Sequence, residues 1–189
     1  MTNDWIAEID EKVLNHSEGY FKTEGFKEGE QYVILTTTSS GTRALVGNTS
    51  LATTPLVADK NQITGEVTDD MLWSADTVTP DGMVVLQNVA SGKYLDQESQ
   101  WFLNDAYPAS PYIQYTNEDG KAKFSHRANL NTADTCYLYV NYGPEYEGQV
   151  TRYMNNESKG ANFELFRKVD VRAVDATILN TPTRYPIAI

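Results

Sequence analysis

From Tyr32 onward apolar positions fall in short alternating runs broken by small polar turns, and no stretch there keeps the three-to-four spacing of an amphipathic helix. Three segments of this kind read as versions of one another: residues 32–78, 79–116 and 117–169. Each opens on a short strand pattern: Tyr32-Val33-Ile34-Leu35, Met83-Val84-Val85-Leu86 or Lys123-Phe124-Ser125-His126. Each continues through a turn into a second strand carrying a leucine: Arg43-Ala44-Leu45-Val46, Lys93-Tyr94-Leu95-Asp96 or Tyr137-Leu138-Tyr139-Val140. Each closes on an aromatic or aliphatic anchor: Met71-Leu72-Trp73, Tyr112-Ile113-Gln114-Tyr115 or Asn162-Phe163-Glu164-Leu165-Phe166. A period of roughly 40 to 50 residues built of strands and turns predicts an all-β object assembled from repeats.

Asp81-Gly82 and Asp119-Gly120 are hairpin signals, since glycine accepts positive φ without steric cost. Ser40-Gly41 and Ser91-Gly92 mark the next turn of their segments, and the polar stretches 58–68 and 142–148 read as exposed loops. Ahead of the repeats, Trp5, Ile9 and Val13 fall four apart, with Ile6 and Leu14 beside them, which predicts a short helix over residues 4–15. Behind them, Ala176-Thr177-Ile178-Leu179 and Tyr185-Pro186-Ile187-Ala188-Ile189 are apolar, while Pro182 and Pro186 oppose both helix and central strand. The division expected is an N-terminal helical arm (1–30), a β domain (31–169) and an extended C-terminal arm (170–189).

Composition narrows the function. The formal net charge of −11 repels a phosphate backbone, so no nucleic-acid partner is expected. No run approaches the ~20 apolar residues of a membrane helix, and Met1-Thr2-Asn3-Asp4-Trp5 is not a signal peptide, so neither membrane insertion nor a leader is expected. The single cysteine, Cys136, lies in an aromatic strand and reads as a buried thiol. His16 and His126 pair with no nucleophile, and with Cys136 they lack metal-ligand spacing. The expectation is a protein that is not an enzyme, without catalytic residues, metal or cofactor.

The run Asn88-Val89-Ala90-Ser91-Gly92-Lys93-Tyr94-Leu95-Asp96, with Leu72-Trp73-Ser74 before it, resembles the β-trefoil, the ricin-B-like family, in the form found in surface proteins of Gram-positive bacteria. The likeness spans about residues 30–169. It implies a trefoil of three four-stranded repeats, a six-stranded barrel capped by three hairpins, burying Leu35, Leu45, Trp73, Leu86, Leu95, Ile113, Leu138 and Phe163. The family's closing glutamine-x-tryptophan reads here Met71-Leu72-Trp73, Pro111-Tyr112-Ile113 and Ala161-Asn162-Phe163, so the tryptophan stands once and the glutamine never. Its sugar-contacting aspartate is matched by Asp96, with Val46 and Val140 at or near that place in the other units.

Sugar recognition needs a carboxylate or amide to bridge hydroxyls and a flat aromatic face beneath the ring. Asp96, Gln97, Trp101, Asn104 and Tyr107 supply those parts within twelve residues; the plainer reading is that Trp101 and Tyr107 cap the core while Asp96 makes a turn hydrogen bond. Tyr137, Tyr139, Asn141, Tyr142, Tyr146 and Tyr153 form a second aromatic group, more readily read as one side of a strand than as a binding face. The expected function is a lectin-like, carbohydrate-binding or protein-binding surface module, extracellular or surface-associated. The alternative is a structural subunit of a virion, filament or surface layer, a homo-oligomer held through residues 1–25 and 170–189.

Overall fold

The computed structural model of the chain describes residues 18–108, 112–118, 121–127, 134–141, 145–157 and 161–170. All are strand, turn and loop apart from 3-10 residues at Asp69–Met71 and Glu157. β1 (Glu18–Thr23) precedes the repeated segments. The first segment holds β2 (Gln31–Thr38), β3 (Gly41–Gly47), β4 (Leu51–Pro55) and β5 (Leu72–Val78). The second holds β6 (Met83–Asn88), β7 (Tyr94–Gln97), β8 (Trp101–Asn104) and β9 (Ile113–Glu118). The third holds β10 (Lys121–Arg127), β11 (Thr135–Val140), β12 (Val150–Met154) and β13 (Phe163–Asp170). The helix expected over residues 4–15, the Asp119-Gly120 turn and the arm beyond Asp170 lie outside the described residues.

Six strands pair antiparallel in a circuit: β2 with β5, β5 with β6, β6 with β9, β9 with β10, β10 with β13, and β13 back to β2. The others form hairpins β3–β4, β7–β8 and β11–β12, hung through their first strands on β2, β6 and β10. Gly82, at φ 83°, turns the chain between β5 and β6, where a side chain would be strained.

Period-two alternation decides what enters the core. Ile34, Leu86 and Phe124 from the opening strands, Leu45, Leu95 and Leu138 from the hairpins, and Trp73, Ile113 and Phe163 from the closing strands bury in one cluster. Leu35 corrects an expectation: it is buried, but Ile34 takes the inward position, so Leu35 points outward into a second cluster. That outer layer joins Val33, Leu35, Ala44, Val46, Leu56, Ile63, Met71, Leu72 and Phe166.

The outer layer is roofed by two elements with no strong sequence signal. β1, which falls in the stretch expected to be an N-terminal helical arm, pairs with β13 from Glu18↔Asp170 to Thr23↔Leu165. Across its other edge, Lys22 N–H donates to the Asn61 carbonyl at 2.9 Å and Ile63 N–H to Tyr20 at 3.1 Å. The stretch 58–68 is therefore not simply a solvated loop, for Ile63 is buried beside Leu56.

Asn88 carries the resemblance and works as an internal brace. Its Nδ2 donates to the carbonyls of Asp70 (2.8 Å) and Leu72 (3.1 Å), while its Oδ1 accepts from Ser91 N–H (3.1 Å) and hydroxyl (3.2 Å). Fully buried, it has a partner for each half of its amide, as a buried polar group requires. Trp73 Nε1–H donates to the Leu45 carbonyl at 3.0 Å, tying the closing strand to the first hairpin. The third hairpin's loop locks onto the first segment. Glu147 accepts from the Thr38 hydroxyl (3.0 Å), Ser40 N–H (3.1 Å) and the Ser40 hydroxyl, and Thr53 Oγ1 donates to the Gly148 carbonyl (2.7 Å).

Candidate functional site

The three hairpins present outward faces of different chemistry. In β3–β4 the outward residues include Ala44, Val46 and Ala52, and the outer apolar layer covers them. In β7–β8, Leu95 and Gln97 point inward, so Tyr94 and Asp96 point outward, with Asn104 and Phe102 as their cross-strand partners. In β11–β12 the outward set is Tyr137, Tyr139, Thr151 and Tyr153. Counting from each hairpin's inward leucine places Tyr139, not Val140, opposite the role of Asp96; Val140 is buried in the core.

The β7–β8 face combines a carboxylate, an amide and open aromatic rings. Asn104 Nδ2 donates to Asp96 Oδ2 at 2.8 Å, and Gln97 N–H donates to Asp96 Oδ1 at 2.7 Å. Ala106 N–H in turn donates to Asn104 Oδ1 at 3.0 Å, which fixes the amide's orientation. A carboxylate offers about four lone-pair sites, and these bonds occupy one on each oxygen. Asp96 is thus held in place with acceptor capacity left on both oxygens.

Aromatic rings border it. Tyr107, 46% exposed, packs edge-to-face on Tyr94 with centroids 5.3 Å apart and on Tyr112 at 6.3 Å. Its hydroxyl shares a 2.7 Å hydrogen bond with Thr77 Oγ1 on β5, so the face crosses from the second segment to the first. Burial, followed by the Asp76 carboxylate, raises the Tyr94 hydroxyl above its ordinary pKa. The neighbouring Tyr107 does the same for Tyr112. These hydroxyls stay protonated and can donate.

Of the five residues expected from sequence, Asp96, Asn104 and Tyr107 come together here. Gln97 and Trp101 face each other on the hairpin's other side, 4% and 5% exposed, with Trp101 in the main core. A ring so enclosed has no face for a ligand. Neither Gln97 Oε1 nor Trp101 Nε1 has a hydrogen-bond partner among the described residues. Sequence reasoning missed Tyr94, Phe102, Thr77, Asp76 and Tyr112. The first two carried a usable signal, because they alternate with Asp96 and Asn104 along their strands.

Two clefts elsewhere offer less. One of about 380 Å³ lies among Lys22, Glu24, Tyr115, Asn117 and Glu164. Its polar groups already pair: Asn117 Nδ2 and the Tyr115 hydroxyl donate to the Glu24 carbonyl at 3.1 and 3.4 Å, and Lys22 bonds Glu164. Burial, with Glu24 nearby, holds the Tyr115 hydroxyl far above its ordinary pKa. The other, about 490 Å³, runs beside Thr42, Pro55, Val57 and Glu66 and gathers no converging polar groups. Among the described residues no cluster of three His, Cys, Asp or Glu side chains could hold a metal, and no helix is long and apolar enough to cross a membrane. Cys136 is buried on β11. No protein-family model, curated protein or solved structure matches the chain.

Proposed function

We propose that the chain is a β-trefoil acting as a non-catalytic binding module, extracellular or surface-associated, that takes a glycan on the outward face of β7–β8. The trefoil reading is supported by the closed pairing circuit and by the three hairpins hung on β2, β6 and β10. Matching register adds to it: Leu51, Trp101 and Val150 all stand early on the second strand of a hairpin and all meet the main core. Pseudo-threefold equivalence makes one hairpin's outward chemistry separable from the scaffold, so a site can sit on one unit without the others repeating it.

The observation that carries the glycan reading is the Asp96–Asn104 pair flanked by Tyr94 and Tyr107. A braced carboxylate accepts from two neighbouring sugar hydroxyls, the amide fixes which rotamer does so, and an exposed ring offers apolar area to the sugar's C–H face. Screening the labelled protein against immobilised oligosaccharides tests this. Saturable binding that is lost in both Asp96→Ala and Tyr107→Ala, with melting temperature kept, supports it; binding that survives both variants rejects it.

One observation favours the second reading, a structural subunit of an assembly. Glu18 and Asp170 are register partners, so the chain on either side of the described core leaves it at one place. Residues 1–17 and 171–189 could then act as a joint contact on a neighbouring copy. Sizing the full chain beside one trimmed of both segments separates the readings: a multimer lost on trimming supports assembly, a monomer in both cases removes it.

A further inference from the structure

The β5–β6 ladder slips by one residue between Ala75 and Thr77. Asp76 is the extra residue of that bulge. Such insertions twist the strand and re-aim a side chain away from the ladder's alternation. Here Ala75 stays in the main core, Thr77 bonds Tyr107, and the Asp76 carboxylate lies against the Tyr94 hydroxyl. Tyr94 therefore meets the Asp76 carboxylate at its hydroxyl, and Asp96 follows two residues along its own strand on the same outward face.

The surroundings carry little to offset them. Between Leu72 and Ile113 the chain has five acids (Asp76, Asp81, Asp96, Glu98, Asp105) and one cation, Lys93. Lys93 is already paired with Asp105 at 3.1 Å. The negative edge of the site is thus not neutralised from within, and it lies next to three tyrosine rings in two edge-to-face pairs, Tyr94 on Tyr107 at 73° and Tyr107 on Tyr112 at 82°. Tyrosine faces attract cations through the ring quadrupole, and a carboxylate beside the ring strengthens that pull. An acidic sugar would meet repulsion at the same place.

Resting on the glycan reading above, we infer that the β7–β8 face selects basic sugars, oligosaccharides with free amines, over acetylated and acidic ones, and that Asp76 is the residue that selects them. The hydroxyls go to Asp96 and Asn104. An ammonium group two to three bonds from such a hydroxyl reaches the zone between Asp76 and the tyrosine rings. Loss of the amine's charge by acetylation removes both attractions and leaves the hydroxyl contacts.

The test compares the tetramer of glucosamine with the tetramer of N-acetylglucosamine and with a sialylated oligosaccharide, by calorimetry at about pH 6. The free-amine tetramer is expected to bind about tenfold more tightly than the acetylated one, with the advantage shrinking as salt rises. In Asp76→Asn the free-amine tetramer loses most of its advantage, while the acetylated tetramer binds as to wild type. Glu66→Gln, which removes one acid from the loop before β5, leaves the advantage in place and controls for general attraction to an acidic chain. Equal binding in wild type, an undiminished preference in Asp76→Asn, or an equal loss in Glu66→Gln overturns the inference. Binding of the acetylated or sialylated sugar as tight as that of the free-amine tetramer, and still lost without the Asp96 carboxylate, overturns it while leaving the glycan reading intact. Absence of binding by all three sugars removes both.

Discussion

Asn104 braces Asp96 diagonally across the β7–β8 hairpin: its amide reaches the carboxylate at 2.8 Å, although its direct partner in register is Tyr94. Diagonal neighbours on a two-stranded face lie within reach of longer side chains, and here the reach sets the carboxylate's rotamer. The relationship separates binding from folding, because both residues are partly exposed on a face the core does not need.

Asn104→Ala is therefore expected to weaken glycan binding about tenfold while changing unfolding free energy by no more than about 1 kcal/mol, the usual net worth of one such bond. Calorimetric titration alongside urea denaturation reads both numbers. A stability loss of several kcal/mol with unchanged affinity would move the pair from the site to the scaffold.

The two buried tryptophans provide a matched comparison. Trp73 Nε1–H donates to the Leu45 carbonyl at 3.0 Å, whereas Trp101 Nε1–H has no partner among the described residues. Replacement by phenylalanine removes similar apolar area from each, but only at position 73 does it remove a made hydrogen bond. Trp73→Phe is expected to cost roughly 1–3 kcal/mol more than Trp101→Phe. Equal losses in urea unfolding would contradict the assignment of partners.

Close approach makes one glycine irreplaceable and leaves another free. A Cβ on Gly47 would stand 2.9 Å from both Asn88 Cγ and Trp73 Cη2, inside two of the most constrained side chains of the fold. Gly25 has nothing within 4 Å and no positive φ. Gly47→Ala is expected to destabilise by about 1–3 kcal/mol and Gly25→Ala to be neutral or mildly stabilising. Thermal melts of the two variants decide it.

Glu147 predicts a pH dependence. Hydrogen bonds from the Ser40 and Thr38 hydroxyls, then the Ser40 N–H and the Arg43 charge, hold its carboxyl below the ordinary range. A depressed folded-state pKa gives stability that is complete above the unfolded value, about 4.3 for glutamate, and lost as pH falls through the folded one. The melting temperature of wild type should exceed that of Glu147→Gln near neutral pH, and the gap should close in acid below about pH 4. A gap that stays constant across that range would sever the third hairpin's loop from the first segment's turn.

Legibility followed the strength of local pattern. The leucines at 45, 95 and 138 and the turn glycines at 41, 82 and 92 were readable because each is fixed by its own short segment. β1 was not, since Glu18–Thr23 gains its pairing from distant chain: from β13, 142 residues away for Lys22 and Glu164, and from Asn61 and Ile63 at its other edge. The outer layer was missed for the same reason: Leu56 and Ile63 are isolated apolar residues in a polar stretch, and only tertiary packing buries them. The site was half legible. Grouping Asp96 with Gln97 and Trp101 by proximity in sequence ignored the alternation that sends neighbours on a strand to opposite faces. Asp76 escaped because a bulge breaks the alternation on which strand reading relies.

Ring-selective NMR tests the glycan site most directly, since tyrosines stand on both the β7–β8 face and its β11–β12 counterpart. The protein, labelled on its 12 tyrosines, would be titrated with lactose, cellotetraose and the acetylated and free-amine glucosamine tetramers. Binding on the β7–β8 face predicts that Tyr94, Tyr107 and Tyr112 shift together and saturably with at least one of these sugars, while Tyr137, Tyr139 and Tyr153 hold still. Shifts confined to the third hairpin, or none with any sugar, contradict it.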